Sequence, residues 1–360
     1  MDATELEAAI LADPDSPAGY SVYADWLEQQ GDPHGELIHV QLARETSSDP
    51  ELVVRERELL AAHANKLLGG LLEYPLGPAD PLEVEWRRGF VHRATVKTSY
   101  ESNDGAYLYR ELATRPVARF LRELCLGAGC SYNGRPPDDT SILEALRDCP
   151  LPLLRSLSID CLGRELSWTH VGDLSIASES LRGLEALEIV TGRMTLGAID
   201  LPMLRTLRIE TGGLPAHVLD SIAAASWPAL ETLVIFLGTE NYGGTCTEQH
   251  VRPILEGKNL PRLTTLALCN GTFADELVPL VARSAILPRL RRLDLSKGTM
   301  GPDGAKTLLR HPQAFAHLEA LDLSENYLPP GVCARLASPT VDVAGQKIEG
   351  EYGRYVTVSE

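Results

Sequence analysis

Hydrophobic positions along most of the chain follow one short pattern, with leucine or isoleucine at the first, fourth and sixth positions. The pattern L-x-x-L-x-L occurs eight times, at separations of 20–33 residues, and a weaker copy begins at Val91. The copies begin at Leu121, Leu154, Leu184, Leu204, Leu230, Leu263, Leu290 and Leu318. Alternation within each copy predicts a short strand with one buried face. Recurrence at this spacing predicts stacked structural repeats.

Helical periodicity occupies several of the intervals between these strands. The predicted helices cover residues 215–225, 247–255, 275–284 and 302–309. Strand and helix in alternation predict an α/β fold, specifically a leucine-rich-repeat solenoid with a curved parallel sheet and convex helices. The segment 82–99 has strand character and is expected to start the stack. Residues 341–346 and 353–358 are interpreted as short strands that close it.

The turn after each predicted strand has an unusual composition. Eight residues after the starting leucine, six of the eight copies have glycine, and the other two have Leu162 and Asn326. The glycines are Gly129, Gly192, Gly212, Gly238, Gly271 and Gly298. Glycine permits a left-handed turn but provides no side-chain amide to satisfy neighbouring backbone groups. We therefore expect an irregular array without a continuous asparagine ladder.

The first 70 residues have a different pattern, which predicts a small all-helical domain. Four helices are expected at 4–12, 17–30, 34–45 and 50–68, the first opened by a capping box between Thr4 and Glu7. The predicted domains are a helical domain at 1–70, a junction and cap strand at 71–98, the repeats at 99–340 and closing strands at 341–360.

Several motifs connect this helical domain with a known family. The segments 11–14 (LADP), 23–28 (YADWLE), 31–33 (GDP) and 35–36 (GE) closely resemble the repeat-companion domain that begins many repeat proteins of myxobacteria and planctomycetes. Residues 88–91 (RGFV) and 353–356 (GRYV) look like pieces that accompany it. Residues 90–345 are similar to leucine-rich repeats. The resemblance implies a bacterial repeat protein and implies no reaction.

Three residues of the YADWLE motif lie on one face of the predicted second helix. Tyr23, Trp26 and Leu27 have helical spacing, which favours the packed core of a capping or docking module. Binding of a peptide by the same aromatic residues is the alternative.

Composition and charge restrict the class of partner. The 360 residues have a formal net charge of −17, which repels nucleic acid and anionic lipid, so we expect neither nucleic acid nor membrane as a partner. The beginning of the chain lacks an export signal, and no apolar run reaches transmembrane length, which predicts a cytoplasmic protein. The seven cysteines contain no C-x-x-C and are expected to be reduced and mostly buried.

Motifs for catalysis or for cofactor binding are not found in the sequence. The segment 298–307 (GTMGPDGAKT) has the wrong spacing for a phosphate-binding loop, since Ala305 separates Gly304 from Lys306. The nine histidines include no H-E-x-x-H, and no nucleophile elbow is present. We therefore expect no catalytic residue, no metal and no cofactor, and we interpret the protein as a non-enzyme.

Outward-facing strand positions provide the remaining candidate site. Alternation places the third, fifth and seventh residues of each copy on the concave face. Its apolar patch is predicted at Val190, Val234, Phe236, Ala267 and Cys269, ringed by Asp160, Glu188, Glu210, Asp294 and Asp322, with Arg208 beside them. An exposed Phe236 within an acidic rim is typical of a protein interface. In the alternative, loops such as 238–246 cover the patch.

These observations favour a non-catalytic recognition scaffold that binds a protein with a basic patch on the concave acidic face. An inhibitor or antitoxin-like sequestering protein would use the same surface. An enzyme with a dispersed site at Asp160, Glu188, Arg208 and Asp294 and a structural component without a ligand are further alternatives. We expect the chain to be a monomer on its own.

Overall fold

The computed structural model describes residues 2–73, 81–97, 105–130, 140–163, 165–351 and 353–359. Its α-helices are α1 (Ala3–Ala12), α2 (Pro17–Gln29), α3 (Pro33–Thr46), α4 (Pro50–Leu67), α5 (Gly105–Ala113), α6 (Ser141–Asp148), α7 (Ala216–Ala224), α8 (Glu248–Glu256), α9 (Ala274–Ala282), α10 (Pro302–Arg310), α11 (Pro312–Phe315) and α12 (Pro330–Leu336). Residues 74–80 of the predicted junction and the end of the predicted segment 82–99 lie outside the described residues.

The strands all follow the first four helices, and the other helices lie between them. They are β1 (Leu82–Arg87), β2 (Phe90–Val96), β3 (Glu123–Gly127), β4 (Gly129–Cys130), β5 (Ser156–Asp160), β6 (Thr169–Asp173), β7 (Ala186–Val190), β8 (Arg193–Thr195), β9 (Thr206–Glu210), β10 (Thr232–Gly238), β11 (Thr265–Gly271), β12 (Arg292–Asp294), β13 (Ala320–Asp322) and β14 (Val341–Asp342). Each of the eight leucine patterns contributes to one of these strands.

The chain forms two compact units. The first contains Met1–Gly127 and Glu144–Leu157, and the second contains Ala128–Leu143 and Ser158–Glu360. Within the first unit, Phe90 of β2 and Phe120, after α5, pack in one cluster with apolar side chains of α1 and α2.

Four helices at the start of the first unit match the prediction to within one residue at each end. Ser16, Asp32 and Asp49 cap α2, α3 and α4, and a proline follows each cap, where its missing N–H is not needed. The predicted capping box at Thr4 and Glu7 is wrong. Asp2 and Glu5 form it two residues earlier, since Glu7 is buried and bonded to Tyr23 and Arg119. The strands β1 and β2 form an antiparallel hairpin, and β3 pairs parallel with β2.

Parallel strands in sequential order form the main sheet of the second unit. Pairing runs from β7 through β9, β10, β11, β12 and β13 to β14. Leu207, Leu233, Leu266, Leu293 and Leu321 are in register, and all are buried. A second sheet consists of β4, β6 and β8. These findings confirm an α/β protein in which a helical region precedes a mostly parallel sheet.

The turns after the strands differ from the prediction. Of the six glycines that the sequence analysis placed in these turns, only Gly238 has a positive φ, of 68°, in the described part of the chain. In three later turns the left-handed residue comes one position earlier, at Asn270, Lys297 and Glu325. Gly298 is needed for a different reason, because a Cβ there would lie 2.9 Å from the carbonyl oxygen of Gly271. Close backbone approach thus explains this glycine.

The closing segment also differs in part. Val341 and Asp342 form β14, which pairs parallel with β13. The predicted strand at 353–358 is wrong: in the described residues it makes only an isolated bridge between Gly350 and Gly353. None of the helices in the described ranges is both long and apolar enough to cross a bilayer.

Candidate recognition face

Outward side chains of the second unit's main sheet form one continuous surface, which we call the strand face. Strand register places Glu188, Arg208, Val234, Ala267, Asp294 and Asp322 side by side across it. A neighbouring row contains Val190 beside Glu210, and Phe236 beside Cys269. The fold therefore assembles most of the sequence-predicted residues on one side of the sheet.

Charge is distributed unevenly on the strand face. At the β7–β9 side, the Arg208 guanidinium lies 2.9 Å from Glu188 Oε1 and also pairs with Glu210. The same guanidinium lies over the Phe236 ring, 5.1 Å from its centroid. Arg208 thus pairs with two of the five predicted acids and cancels one of their two negative charges. The remaining negative charge of the strand face lies mainly on β12, β13 and β14.

Three aspartates on β12, β13 and β14 form what we call the acidic row. Asp294 pairs in register with Asp322, and Asp322 pairs with Asp342. Among the described residues, no lysine or arginine forms an ion pair with them. Sequence reasoning missed Asp342, although it follows the apolar residue Val341 as Asp294 follows Leu293 and Asp322 follows Leu321.

A turn after each strand holds these carboxylates in place. One oxygen of Asp294, Asp322 and Asp342 accepts the N–H of the residue two positions later, at 2.8 Å in all three cases. Asp160 accepts the N–H of Leu162 in the same way, at 2.6 Å. These bonds satisfy the turn backbone and fix the direction of each carboxylate, so the acidic row is ordered before any ligand binds.

The central apolar patch is covered. Phe236, Ala267 and Cys269 are 4%, 3% and 1% exposed, and Val358 packs against them. The prediction of an exposed Phe236 is therefore wrong. The cover is the chain's own segment 353–359, which we call the tail segment. The prediction considered the loop 238–246 as a cover and did not consider this segment.

Polar bonds hold the tail segment across the ends of β11, β12 and β13. The Val358 N–H donates to Asn270 Oδ1 at 2.8 Å, and Asn270 Nδ2 donates to the Val358 carbonyl at 2.6 Å. The Tyr327 hydroxyl bonds both the N–H and the carbonyl of Tyr355, each at 3.0 Å. Sequence reasoning missed Asn270, since its role depends on a residue 88 positions away.

A groove of about 340 Å³ remains on the strand face beside the patch. Val234, Phe236 and Ala267 form its apolar wall, and Asp294, Asp322 and Lys297 add charge. The Cys269 thiol also lines it, but burial raises the pKa of this thiol well above its usual value. The thiol is therefore protonated at neutral pH and is a poor nucleophile.

The carboxylates of the alternative enzyme site are not brought together. Glu188 and Asp294 lie in the same row, four strand spacings apart, or roughly 19 Å at about 4.8 Å per strand. Glu188 is paired with Arg208, and Asp160 caps a turn. Paired acid–base chemistry needs carboxyl groups within roughly 5–10 Å of each other, so this arrangement does not fit it.

The YADWLE residues lie in the first unit. Tyr23 and Leu27 are buried, and Trp26 packs against the same cluster, which includes Ile10, Phe90 and other apolar side chains. The Tyr23 hydroxyl donates to Glu7 Oε1 at 3.4 Å. The aromatic rings thus face the interior of the unit.

The RGFV segment packs against the same helices. Arg88 has a φ of 53° and pairs with Glu45 at 2.8 Å. The Gly89 N–H donates to Gln41 Oε1 at 2.6 Å, and the Gly89 carbonyl accepts a bond of 2.7 Å from His34 Nε2. The turn between β1 and β2 is therefore bonded to α3 through both the N–H and the carbonyl of Gly89.

Comparison with known proteins provides support for the fold alone. No family model matches the chain, and no curated protein matches it. A solved structure from Bacteroides fragilis, from the Northeast Structural Genomics Consortium, is 23% identical, covers 74% of this chain and 77% of its own, and has a TM-score of 0.63. InlP of Listeria monocytogenes is 15% identical over 79% of this chain and 67% of its own, with a TM-score of 0.29. A TM-score of 0.29 does not establish a shared fold.

Proposed function

We propose that the protein is a non-catalytic recognition scaffold of the leucine-rich-repeat type, and that its strand face binds a protein with a basic patch. The acidic row of Asp294, Asp322 and Asp342 is the observation on which the proposal rests. Neighbouring strands lie about 4.8 Å apart, so three carboxylates in register concentrate negative charge along one line. Lysine and arginine side chains on a partner would complement it.

Electrostatic physics indicates what this row would do. Like charges on adjacent strands destabilise the sheet, and a cationic partner would relieve that repulsion. Acids of this kind accelerate association more than they tighten the final complex, and salt weakens the effect over a Debye length of about 8 Å at physiological ionic strength. The chain's net charge of −17 acts in the same direction.

The family resemblance is consistent with this proposal. In our interpretation residues 1–70 of the first unit are a repeat-companion module, and the second unit carries the binding surface. We further propose that the protein acts in the bacterial cytoplasm. The burial of Tyr23 and Leu27 favours a packing role for these residues over direct contact with a ligand.

The test is capture of a partner by immobilised full-length protein, compared with charge-reversed variants. The double variant Asp294→Lys with Asp322→Lys should lose the captured partner, and the wild type should lose it as salt increases. The matched control is Asp220→Lys with Asp303→Lys, which makes the same charge change at two exposed side chains, on α7 and α10. Equal capture by all three proteins would refute the proposal.

A further inference from the structure

The tail segment is held in the way that a binding site holds an extended peptide. Asn270 bonds both backbone groups of Val358, and Tyr327 bonds both backbone groups of Tyr355. The Thr357 N–H donates to the Lys297 carbonyl at 3.0 Å. Main-chain bonds of this kind provide affinity for any extended segment and do not depend on its side chains.

Side chains of the tail segment then provide selectivity. Val356 is buried, Val358 packs on Phe236, Ala267 and Cys269, and Tyr355 is 60% exposed. Arg354 pairs with Asp275 at 3.2 Å and with Glu349 at 2.9 Å. Inward residues therefore alternate with outward ones, as in a strand, and a cation precedes the two valines.

Taken together, the geometry points to a peptide-binding site that the tail segment occupies in cis. We propose that a partner protein inserts there an extended segment with a basic residue followed by aliphatic residues two and four positions later, and that it displaces the tail segment. This inference rests on the proposed function, and it adds the form of the partner's contacting segment.

A partner segment fits better than a second copy of this chain. Two copies would each have a net charge of −17 and would repel, whereas a basic segment is attracted by Asp275 and by the acidic row. The covalently attached tail segment competes at a high effective concentration, in the millimolar range for short links. A free segment therefore binds with an affinity reduced by the fraction of open sites.

The probe is a fluorescein-labelled peptide with the sequence GRYVTVS, titrated into full-length protein and followed by anisotropy. Val358→Glu should release the tail segment, and its affinity for the peptide should exceed that of the wild type by about tenfold or more. The matched control Val54→Glu makes the same change at a 54%-exposed valine and should bind like the wild type. A peptide with glutamate in place of its second valine should not bind to any of them.

Two further variants keep the test decisive. Thr357→Pro removes the N–H bonded to Lys297 and should also open the site, whether or not Val358→Glu folds. Adding Asn270→Asp to either variant removes the donor to the Val358 carbonyl. It should therefore abolish the increase in peptide affinity. Equal binding to wild type and both opened variants, or equal binding of a scrambled peptide, would overturn the inference.

Failure of the inference is distinguishable from failure of the proposed function. Capture that depends on Asp294 and Asp322, without any binding of the peptide to the opened variants, would overturn this inference alone. Concentration-dependent dimers of the wild type that disappear in Val358→Glu would also overturn it, because they would identify the tail segment of a second copy as the occupant.

Discussion

At the residue scale, Gly89 shows how one position connects the turn between β1 and β2 with α3. Its φ is +79°, and a Cβ there would overlap with Ile38 Cγ1 and lie 3.2 Å from His34 Nε2. Both its N–H and its carbonyl are bonded to side chains of α3. No other residue type offers this conformation and this close approach together.

We therefore expect Gly89→Ala to reduce the free energy of unfolding of the first unit by about 2–4 kcal/mol, from backbone strain and overpacking combined. Gly31→Ala is the control: its φ is +73°, but nothing lies within 4 Å of the added methyl group. That change should cost about 1 kcal/mol. Hydrogen exchange of α2 and α3 amides measures both, and equal losses would contradict the packing argument.

His34 provides a pH-dependent test in the same place. Burial lowers the pKa of this imidazole below its usual value of 6.5, so it stays neutral while its Nε2–H donates to Gly89. The unfolded chain then binds more protons as the pH falls below about 6.5, and the free energy of unfolding should decrease there. His34→Gln should make the free energy of unfolding less dependent on pH in this range. An NMR titration midpoint at or above 6.5 for His34 would be inconsistent with its burial.

At the element scale, the sequence predicted the periodic parts well. The four first helices, the eight leucine-pattern strands and the helices α7–α10 all occur where periodicity places them, because burial of one face determines them locally. The other features of the fold and of the site depend on contacts between residues that are far apart in the chain. The tail segment is bonded to Asn270 across 88 positions, and no local pattern signals that pairing. For the same reason, the cover over Phe236 was not predicted.

The turn residue Asn326 is an element-scale feature that can be tested. Its buried amide donates to the carbonyls of Leu295, Leu323 and Ser324, and its oxygen accepts the Met300 N–H. Asn326→Ala removes these bonds. The carbonyls of Leu323 and Ser324 keep donors from Gln346 and Lys297, whereas the Met300 N–H and the Leu295 carbonyl lose the bond to Asn326. The free energy of unfolding should therefore fall by about 3 kcal/mol.

The control for Asn326 is Asn259→Ala. Asn259 is exposed and donates one bond, to the Ala223 carbonyl at 3.0 Å, so its loss should cost about 1 kcal/mol or less. Urea denaturation compares the two variants. Similar losses would mean that the Asn326 bonds do not hold β12 and β13 together.

At the scale of the whole molecule, we assign recognition to the second unit as a proposal, because the two units differ in which side chains they bury. Aromatic residues of the first unit face its interior, and the second unit carries the acidic row, the groove and the tail segment. Excess negative charge is expected to direct cationic partners toward the acidic row, since Arg208 pairs with Glu188 and Glu210 and cancels part of the charge on the other side of the sheet. We therefore propose recognition on one defined face of the second unit, the strand face.

Site-specific photo-crosslinking in an extract of the source organism tests this claim most directly. A crosslinking amino acid replaces Ala320, which lines the groove beside Asp322, or Lys306, which is exposed on α10. We predict one defined protein product from position 320, reduced at high salt, and none from position 306. Absence of a product from position 320, or equal yields from both positions, would contradict recognition by the strand face.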